Sequence, residues 1–350
     1  MKIGIIGLPA SGKTVVFNCL TGVAANLSGG GSIPGKGQDA NIRLVPVPDK
    51  RLDILSEMYQ PQKTTHAQVQ YVDVAGALKA KEGESKGLDE LLRHLRPVDA
   101  LLHVVRCFEW AGTPPNPQED FDSLEEEIIF ADFIIVEKRL ERMRQEAKKG
   151  RKYDPQEFEL LKKAKELLES GIPLRQDPEI STSPKLRGYS FLSSKPMIVC
   201  LNQGDDGKNF DFNPPKDVPV VNIKGAVEME ILELSEEEQE AFREEMGIDE
   251  PAMHMLIRES YNLLGLISFF TVGKDEVRAW TIKKGTTALK AAGVIHSDIE
   301  RGFIRAEVVA YDDLIELGSY TACKTAGKVR LEGRDYVVSD GDIMHFRFNV

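Results

Sequence analysis

Near the N-terminus, Gly7-Leu8-Pro9-Ala10-Ser11-Gly12-Lys13-Thr14 follows the spacing G-x-x-x-x-G-K-[ST], and no other stretch constrains the fold of this chain as tightly. A loop that cradles phosphates must turn its backbone N–H groups inward, and Gly7 and Gly12 permit the conformations this requires. Pro9, Ala10 and Ser11 fill the loop between them, and Val15 follows it. Lys13 carries a mobile point charge to the β- and γ-phosphate oxygens, and Thr14 offers a hydroxyl to Mg²⁺. The flanks agree with this reading. Lys2-Ile3-Gly4-Ile5-Ile6 reads as a short buried strand, and Lys13 to Leu20 as a helix whose N-terminus faces the anion.

A chain of 350 residues has room for two or three domains. No apolar run is long enough to span a bilayer, and Met1 leads straight into a strand, so no membrane partner and no signal peptide are expected. Cys19, Cys107, Cys200 and Cys323 lie far apart and read as reduced thiols of a cytoplasmic protein. The net charge of −11 argues against a coat for nucleic acid, and sequence-specific DNA binding is not expected.

The glycine-rich stretch Ser28 to Gly37 reads as a mobile loop where a first switch segment belongs. Ile42 to Val47 suggests an edge strand. Val69 to Asp73 suggests a second strand, with Asp73-Val74-Ala75-Gly76 at its carboxyl end. At that position the aspartate is expected to orient Mg²⁺ through water and the Gly76 N–H to meet the γ-phosphate. Asp99 to Arg106 is too apolar for an edge strand, and His103 within it reads as core. Pro196 to Asn202 and Val218 to Ile223 complete a mainly parallel sheet covered by helices. Ligands of such sheets sit beyond the carboxyl ends of the strands, where all of these motifs fall.

Between the third and fourth of these strands, Ile129, Phe133, Val136, Leu140, Met143 and Ala147 form a heptad seam. Asp154-Pro155 caps a second helix carrying Phe158, Leu161, Ala164 and Leu168. The pair predicts an antiparallel coiled-coil arm, with two helices lying on the sheet as the alternative. Glu228 to Glu250 reads as an acidic, solvated helical stretch. From about Ile267 the pattern changes to short β segments, at Phe269–Val272, Val277–Ile282, Arg305–Val309, Tyr336–Val338 and Met344–Phe348, around one helical piece. This C-terminal part is charge-neutral, as a binding module attached to an acidic motor could be.

Several of these segments carry a family likeness. Gly7-Leu8-Pro9, Val45-Pro46-Val47-Pro48-Asp49, His103 to Glu109, Val136 to Leu140, Glu276 to Thr281, Ala291 to His296, Arg301 to Val308 and Asp340 to Val350 resemble YchF-type Obg-like ATPases along nearly the whole chain. The C-terminal part is similar to TGS, a β-grasp module. The resemblance implies an α/β protein in three parts: a P-loop nucleotide domain (1–120 and 190–266), a helical coiled-coil insert (121–189) and a TGS domain (267–350). It further implies ATP hydrolysis in the cytoplasm and a ribosomal or other translation partner reached through the TGS domain and the arm.

Three departures mark a divergent branch. Ala10 and Ser11 stand where the family loop carries Asn and Val, and no threonine lies between Gly22 and Ala40 for the first switch. The base-reading motif is Asn202-Gln203-Gly204-Asp205, with glutamine where GTPases carry lysine and aspartate where this family carries glutamate. Asn202, Gln203 and Asp205 are therefore the candidates for contact with adenine or guanine, with ATP as the expected nucleotide and GTP as the alternative. No glutamine follows Gly76; Ala77 and Leu78 cannot orient water, and Arg43 and Arg106 are arginine-finger candidates by topology alone. A slow ATPase switch is the leading reading. A nucleotide-dependent scaffold that scarcely turns over is the second, and a small-molecule kinase the third.

Overall fold

The computed structural model describes residues 1–22, 41–73, 94–205, 208, 210–246 and 250–349. The chain divides into two compact units: Met1–Leu44 with Gln70–Leu256, and Val45–Val69 with Ile257–Val350. Among the described residues the strands are β1 (Lys2–Ile6), β2 (Asn41–Pro46), β3 (Lys63–Thr65), β4 (Gln68–Asp73), β5 (Ala100–Cys107), β6 (Met197–Gln203), β7 (Val220–Ile223), β8 (Leu266–Thr271), β9 (Glu276–Lys283), β10 (Phe303–Val309), β11 (Arg330–Glu332) and β12 (Ile343–Phe348).

The first unit is built on a sheet in the order β2-β4-β1-β5-β6-β7. The pairs β4–β1, β1–β5, β5–β6 and β6–β7 are all parallel. β5 lies near the middle, and its apolar run is the consequence: Leu101, Leu102, Val104 and Val105 are buried on both faces. The register sets Ile5 against both Asp73 and Leu102, and Ile6 against His103. The carboxyl ends of β1 and β4 therefore come level, and β5 runs on past them to Cys107. Helix α1 (Lys13–Thr21) starts directly from the loop after β1 and buries Val16, Phe17, Cys19 and Leu20.

The helix Pro117–Lys148 serves two cores. Its first half contributes Phe121, Leu124 and Ile128 to the cluster around Leu101, Val105 and Met197 on the sheet. Its second half buries Ile129, Val136, Leu140 and Met143 against Leu161, Ala164 and Leu168 of the helix Pro155–Glu169. Arg139 meets Glu157, whereas Glu137, earlier on the first helix, meets Lys165, later on the second, so the two helices run antiparallel. Asp154 caps the second by accepting from the Gln156 N–H at 2.9 Å. The seam ends earlier than expected, because Ala147 faces solvent. Its far side is closed instead by Leu174, Ile180, Leu186 and Phe191 from the connection back to β6.

The second unit holds a sheet in the order β11-β10-β12-β8-β9-β3. β10 runs antiparallel to β11 and β12, β8 antiparallel to β9, and β12 parallel to β8. Phe269, Ala288, Ala291, Ala292, Phe303, Val308 and Phe346 form its core. Two expectations for this part need correction. Tyr336–Val338 is not a strand of the sheet: the Val338 N–H donates to Thr286 and the Ala288 N–H to Tyr336, so the segment pairs with the turn before a helix, and Arg330–Glu332 takes the edge position. The expected single helical piece is a set of short helices, at Ala288–Ile295, Ser297–Arg301, Tyr311–Leu317 and Tyr320–Thr325.

One feature of the second unit had no counterpart in the sequence reading. The chain between β2 and β4 forms helix α2 (Lys50–Tyr59) and then β3, which adds to the C-terminal sheet by pairing parallel with β9. Asp49 caps α2 through the Arg51 N–H, and Leu52 and Leu55 are fully buried.

Candidate nucleotide site

The loop after β1 closes on itself before any ligand is considered. Gly7 has φ +152, and a Cβ there would fall 2.3 Å from the Val104 carbonyl oxygen of the neighbouring strand. Gly12 has φ +90, and a Cβ would meet the Asn202 amide nitrogen at 2.1 Å. Both positions exclude a side chain, which is why the spacing of the motif is rigid. Ala10 also takes a left-handed φ of +61, where a Cβ is strained.

The Lys13 ammonium donates to the carbonyls of Gly7 at 2.9 Å and Leu8 at 2.7 Å, spanning the loop it belongs to. Burial lowers its pKa to about 8, while the Asp73 carboxylate pulls in the opposite direction. Asp73 is itself buried at the carboxyl end of β4. Thr14, at the first turn of α1, is exposed, as are Pro9 and Ala10. The side chain of Ser11 turns inward, 2% exposed, and its Oγ has no hydrogen-bond partner. Ser11 thus offers the loop its backbone alone. Val15 is half-buried behind it.

From β6, Asn202 donates its amide N–H to the Ser11 carbonyl at 3.1 Å and accepts from the Gly225 N–H at 3.1 Å. The side chain is buried and ties the loop to the helix Gly225–Leu232. Gln203 is half-buried and Asp205 exposed beyond it. Gly76, Ala77, Leu78 and the glycine-rich stretch Ser28 to Gly37 lie outside the described residues.

Of the two arginine candidates, Arg106 is committed elsewhere. Its guanidinium donates to the carbonyls of Phe108 at 3.0 Å, Thr113 at 3.0 Å and Pro114 at 3.2 Å, and it faces Asp120. Arg43 donates to the Ile42 carbonyl. His103 is core, as expected: 1% exposed, stacked on Phe121 at 5.0 Å, and pushed by burial to a pKa of about 3. Two contributors escaped the sequence reading. Phe108 presents its ring to the loop at Gly12, and Gly225 must lack a Cβ because one would lie 2.8 Å from Asn202 Oδ1. The start of a helix directly after β7 was the available signal for Gly225.

A phosphate loop level with an acidic strand end, at the carboxyl edge of a parallel sheet, is the architecture of a P-loop nucleoside triphosphatase. Comparison with known proteins narrows the class. Residues 2–141 match the family described as 50S ribosome-binding GTPase. Residues 266–349 match the family of YchF-GTPase C-terminal domains, described as a protein of unknown function. The ribosome-binding ATPase YchF of Bacillus subtilis is 42% identical over 368 residues, covering 100% of both chains. That of Pasteurella multocida is 41% identical, covering 100% of this chain and 99% of its own. The YchF GTPase of Schizosaccharomyces pombe superposes with a TM-score of 0.84 at 32% identity, over 99% of this chain and 97% of that one. The chain belongs to the YchF family.

Proposed function

We propose that this protein is a slow, ATP-preferring switch of the cytoplasm that associates with the ribosome, its C-terminal unit and helical hairpin serving as docking elements. The observation that carries the reading is the Lys13 ammonium, held by two loop carbonyls with the buried Asp73 behind it. An incoming triphosphate takes over the ammonium, and the N–H groups at the start of α1 complete the anion site. The curated relatives are named ribosome-binding ATPases, which supports both ATP and the ribosome as partners.

A magnesium ion carried in on the phosphates fits the donors present. Among the described residues there is no cluster of three or more His, Cys, Asp or Glu, so these residues form no dedicated cage. Mg²⁺ in nucleotide sites asks for less, keeping most of its waters beside one or two protein oxygens. The exposed Thr14 hydroxyl and, through water, the Asp73 carboxylate are those oxygens. Bound there, the ion would neutralise charge on the phosphates.

The roles of Asn202, Gln203 and Asp205 at the base are part of the proposal. Asn202 is occupied in bracing the loop, which supports mild discrimination between bases, with Gln203 and Asp205 nearest the solvent end of β6. Turnover of the isolated protein is expected below about one per minute, because Arg106 is engaged and Ala77 cannot position water. Phosphate release from ATP and GTP, measured with and without ribosomes, tests this. A rate of several per second without a partner would overturn it, as would tenfold tighter binding of GTP than of ATP.

A further inference from the structure

The segment between β2 and β4 belongs to the C-terminal unit by packing and to the nucleotide unit by connection. Its two junctions, Leu44 to Val45 and Val69 to Gln70, fall inside β2 and β4 rather than in linkers. From the second junction, β4 continues directly to Asp73 in register with β1.

One polar attachment of the segment to the C-terminal unit is made by Arg51. Its guanidinium forks onto Asp49, Nε to Oδ1 at 3.0 Å and Nη2 to Oδ2 at 2.9 Å. It forks again onto Asp340, Nη1 to Oδ2 at 2.8 Å and Nη2 to Oδ1 at 3.3 Å. The same group lies over the Phe270 ring at 5.2 Å, and Asp340 also accepts from the Ser268 N–H of β8 at 2.8 Å. Double-forked arginine pairs are strong and directional. A second attachment runs along β3, where the Gln62 N–H donates to Lys274 and the Lys63 N–H to Asp275, and Thr65 Oγ1 meets Glu276 at 2.6 Å.

We infer that Val45–Val69 couples the nucleotide site to the C-terminal sheet, and that Arg51 is the positioning residue of that coupling. The inference rests on the phosphate-loop reading above. A nucleotide that shifts or stiffens β4 at Asp73 also pulls on β3 and α2, and through the Arg51 clamp on the central β8–β12 pair of the C-terminal sheet. Coupling of this kind is reciprocal: a ligand that moves the C-terminal sheet changes nucleotide affinity by the same factor.

Hydrogen exchange on the full chain, with and without saturating magnesium and adenosine 5′-(β,γ-imido)triphosphate, tests the inference. Peptides over residues 7–16 report loading of the site, and peptides over 266–283 and 340–348 report the C-terminal response. In the wild type both sets are expected to change rate at least twofold. Arg51→Ala is expected to keep nucleotide affinity within about twofold and loop protection intact while losing the C-terminal response. Asp340→Asn is the milder variant, since its amide oxygen still accepts from Ser268 while half of the Arg51 fork is lost; it is expected to weaken the response without unfolding the unit. Loop protection in the wild type with an unchanged C-terminal sheet overturns the inference alone. So does a full response in both variants. Absence of loop protection at saturating nucleotide overturns the phosphate-loop reading and this inference with it.

Discussion

Asn202 donates its side-chain amide to the Ser11 carbonyl across 3.1 Å, so the residue that sequence motifs assign to the base holds the phosphate loop in place. The other end of the amide is equally committed, accepting from the Gly225 N–H. Removing this side chain leaves a buried carbonyl and a buried N–H without partners, each costing about 1–3 kcal/mol. Asn202→Ala is therefore expected to weaken ATP and GTP binding together, tenfold or more, and to lower stability, with the ratio of the two affinities little changed. Titration of both nucleotides checks this. A change confined to one base would make Asn202 a reader of the base instead.

The buried Ser11 hydroxyl makes the opposite case. Its Oγ has no partner and stands in the family position of a valine. Deleting an unsatisfied buried hydroxyl is neutral or stabilising, on the order of 1 kcal/mol. Ser11→Ala should hold or raise the midpoint of thermal unfolding and leave ATP affinity unchanged, since only the Ser11 backbone belongs to the loop. Loss of affinity in that variant would mean the hydroxyl turns outward to the phosphates.

Ala10 carries two consequences in one residue. Its φ of +61 is strained for alanine, by about 1–2 kcal/mol. Ala10→Gly should therefore stabilise the protein, as should Ala10→Asn, because asparagine tolerates this region. Alanine also has no oxygen to offer a monovalent cation beside the phosphates. Wild-type turnover is expected to be equal in potassium and sodium buffers, whereas Ala10→Asn supplies the missing oxygen. A several-fold potassium effect in the wild type would contradict this.

The phosphate loop, the parallel sheet and the paired seams were legible because each depends on neighbours in sequence: a glycine spacing, an apolar run, a heptad. The duties of Asn202 and Arg106 were not, because hydrogen-bond partners are chosen by the fold. Asn202 reaches Ser11 across 191 positions, and Arg106 spends its fork on a turn whose course no periodicity announces. The helix Lys50–Tyr59 and the strand Lys63–Thr65 were unreadable for the same reason. Lys63-Thr64-Thr65 is too short and polar to signal a strand, and becomes one only because β9 offers an edge.

His103 provides a pH test of the core. Burial holds its pKa at about 3, with Arg175 and Lys13 adding to the effect, against 6.5 for the free side chain. Below about pH 6.5 the unfolded chain takes up a proton that the folded chain refuses, so this group removes stability as pH falls, by about 1.4 kcal/mol per pH unit. His103→Leu should lose that slope. The stability of the wild type relative to the variant is expected to decline between pH 6.5 and 5, and parallel curves would show that His103 charges inside the fold.

Lys13 should make nucleotide affinity and the stability of the free protein move in opposite directions with pH. In the free protein, burial lowers the ammonium pKa to about 8 from 10.5. Phosphate oxygens favour the charged form, so the bound state keeps the proton to higher pH. Between those two values binding must take up a proton, and ATP affinity is expected to fall by up to about tenfold per pH unit above pH 8. For folding the sign reverses. From about pH 8 to 10.5 the unfolded chain binds the proton that the folded chain has released, so this lysine adds stability to the free protein as pH rises through that window. Lys13→Met removes both trends. It should also lower ATP affinity at neutral pH at least tenfold, because charge-assisted contacts of this kind contribute about 1.5–3 kcal/mol each. Calorimetric titrations at pH 7, 8 and 9 in buffers of different ionisation enthalpy would count the proton directly. An uptake near zero at pH 9, or an affinity as high there as at pH 7, would show that the lysine stays charged in the free loop.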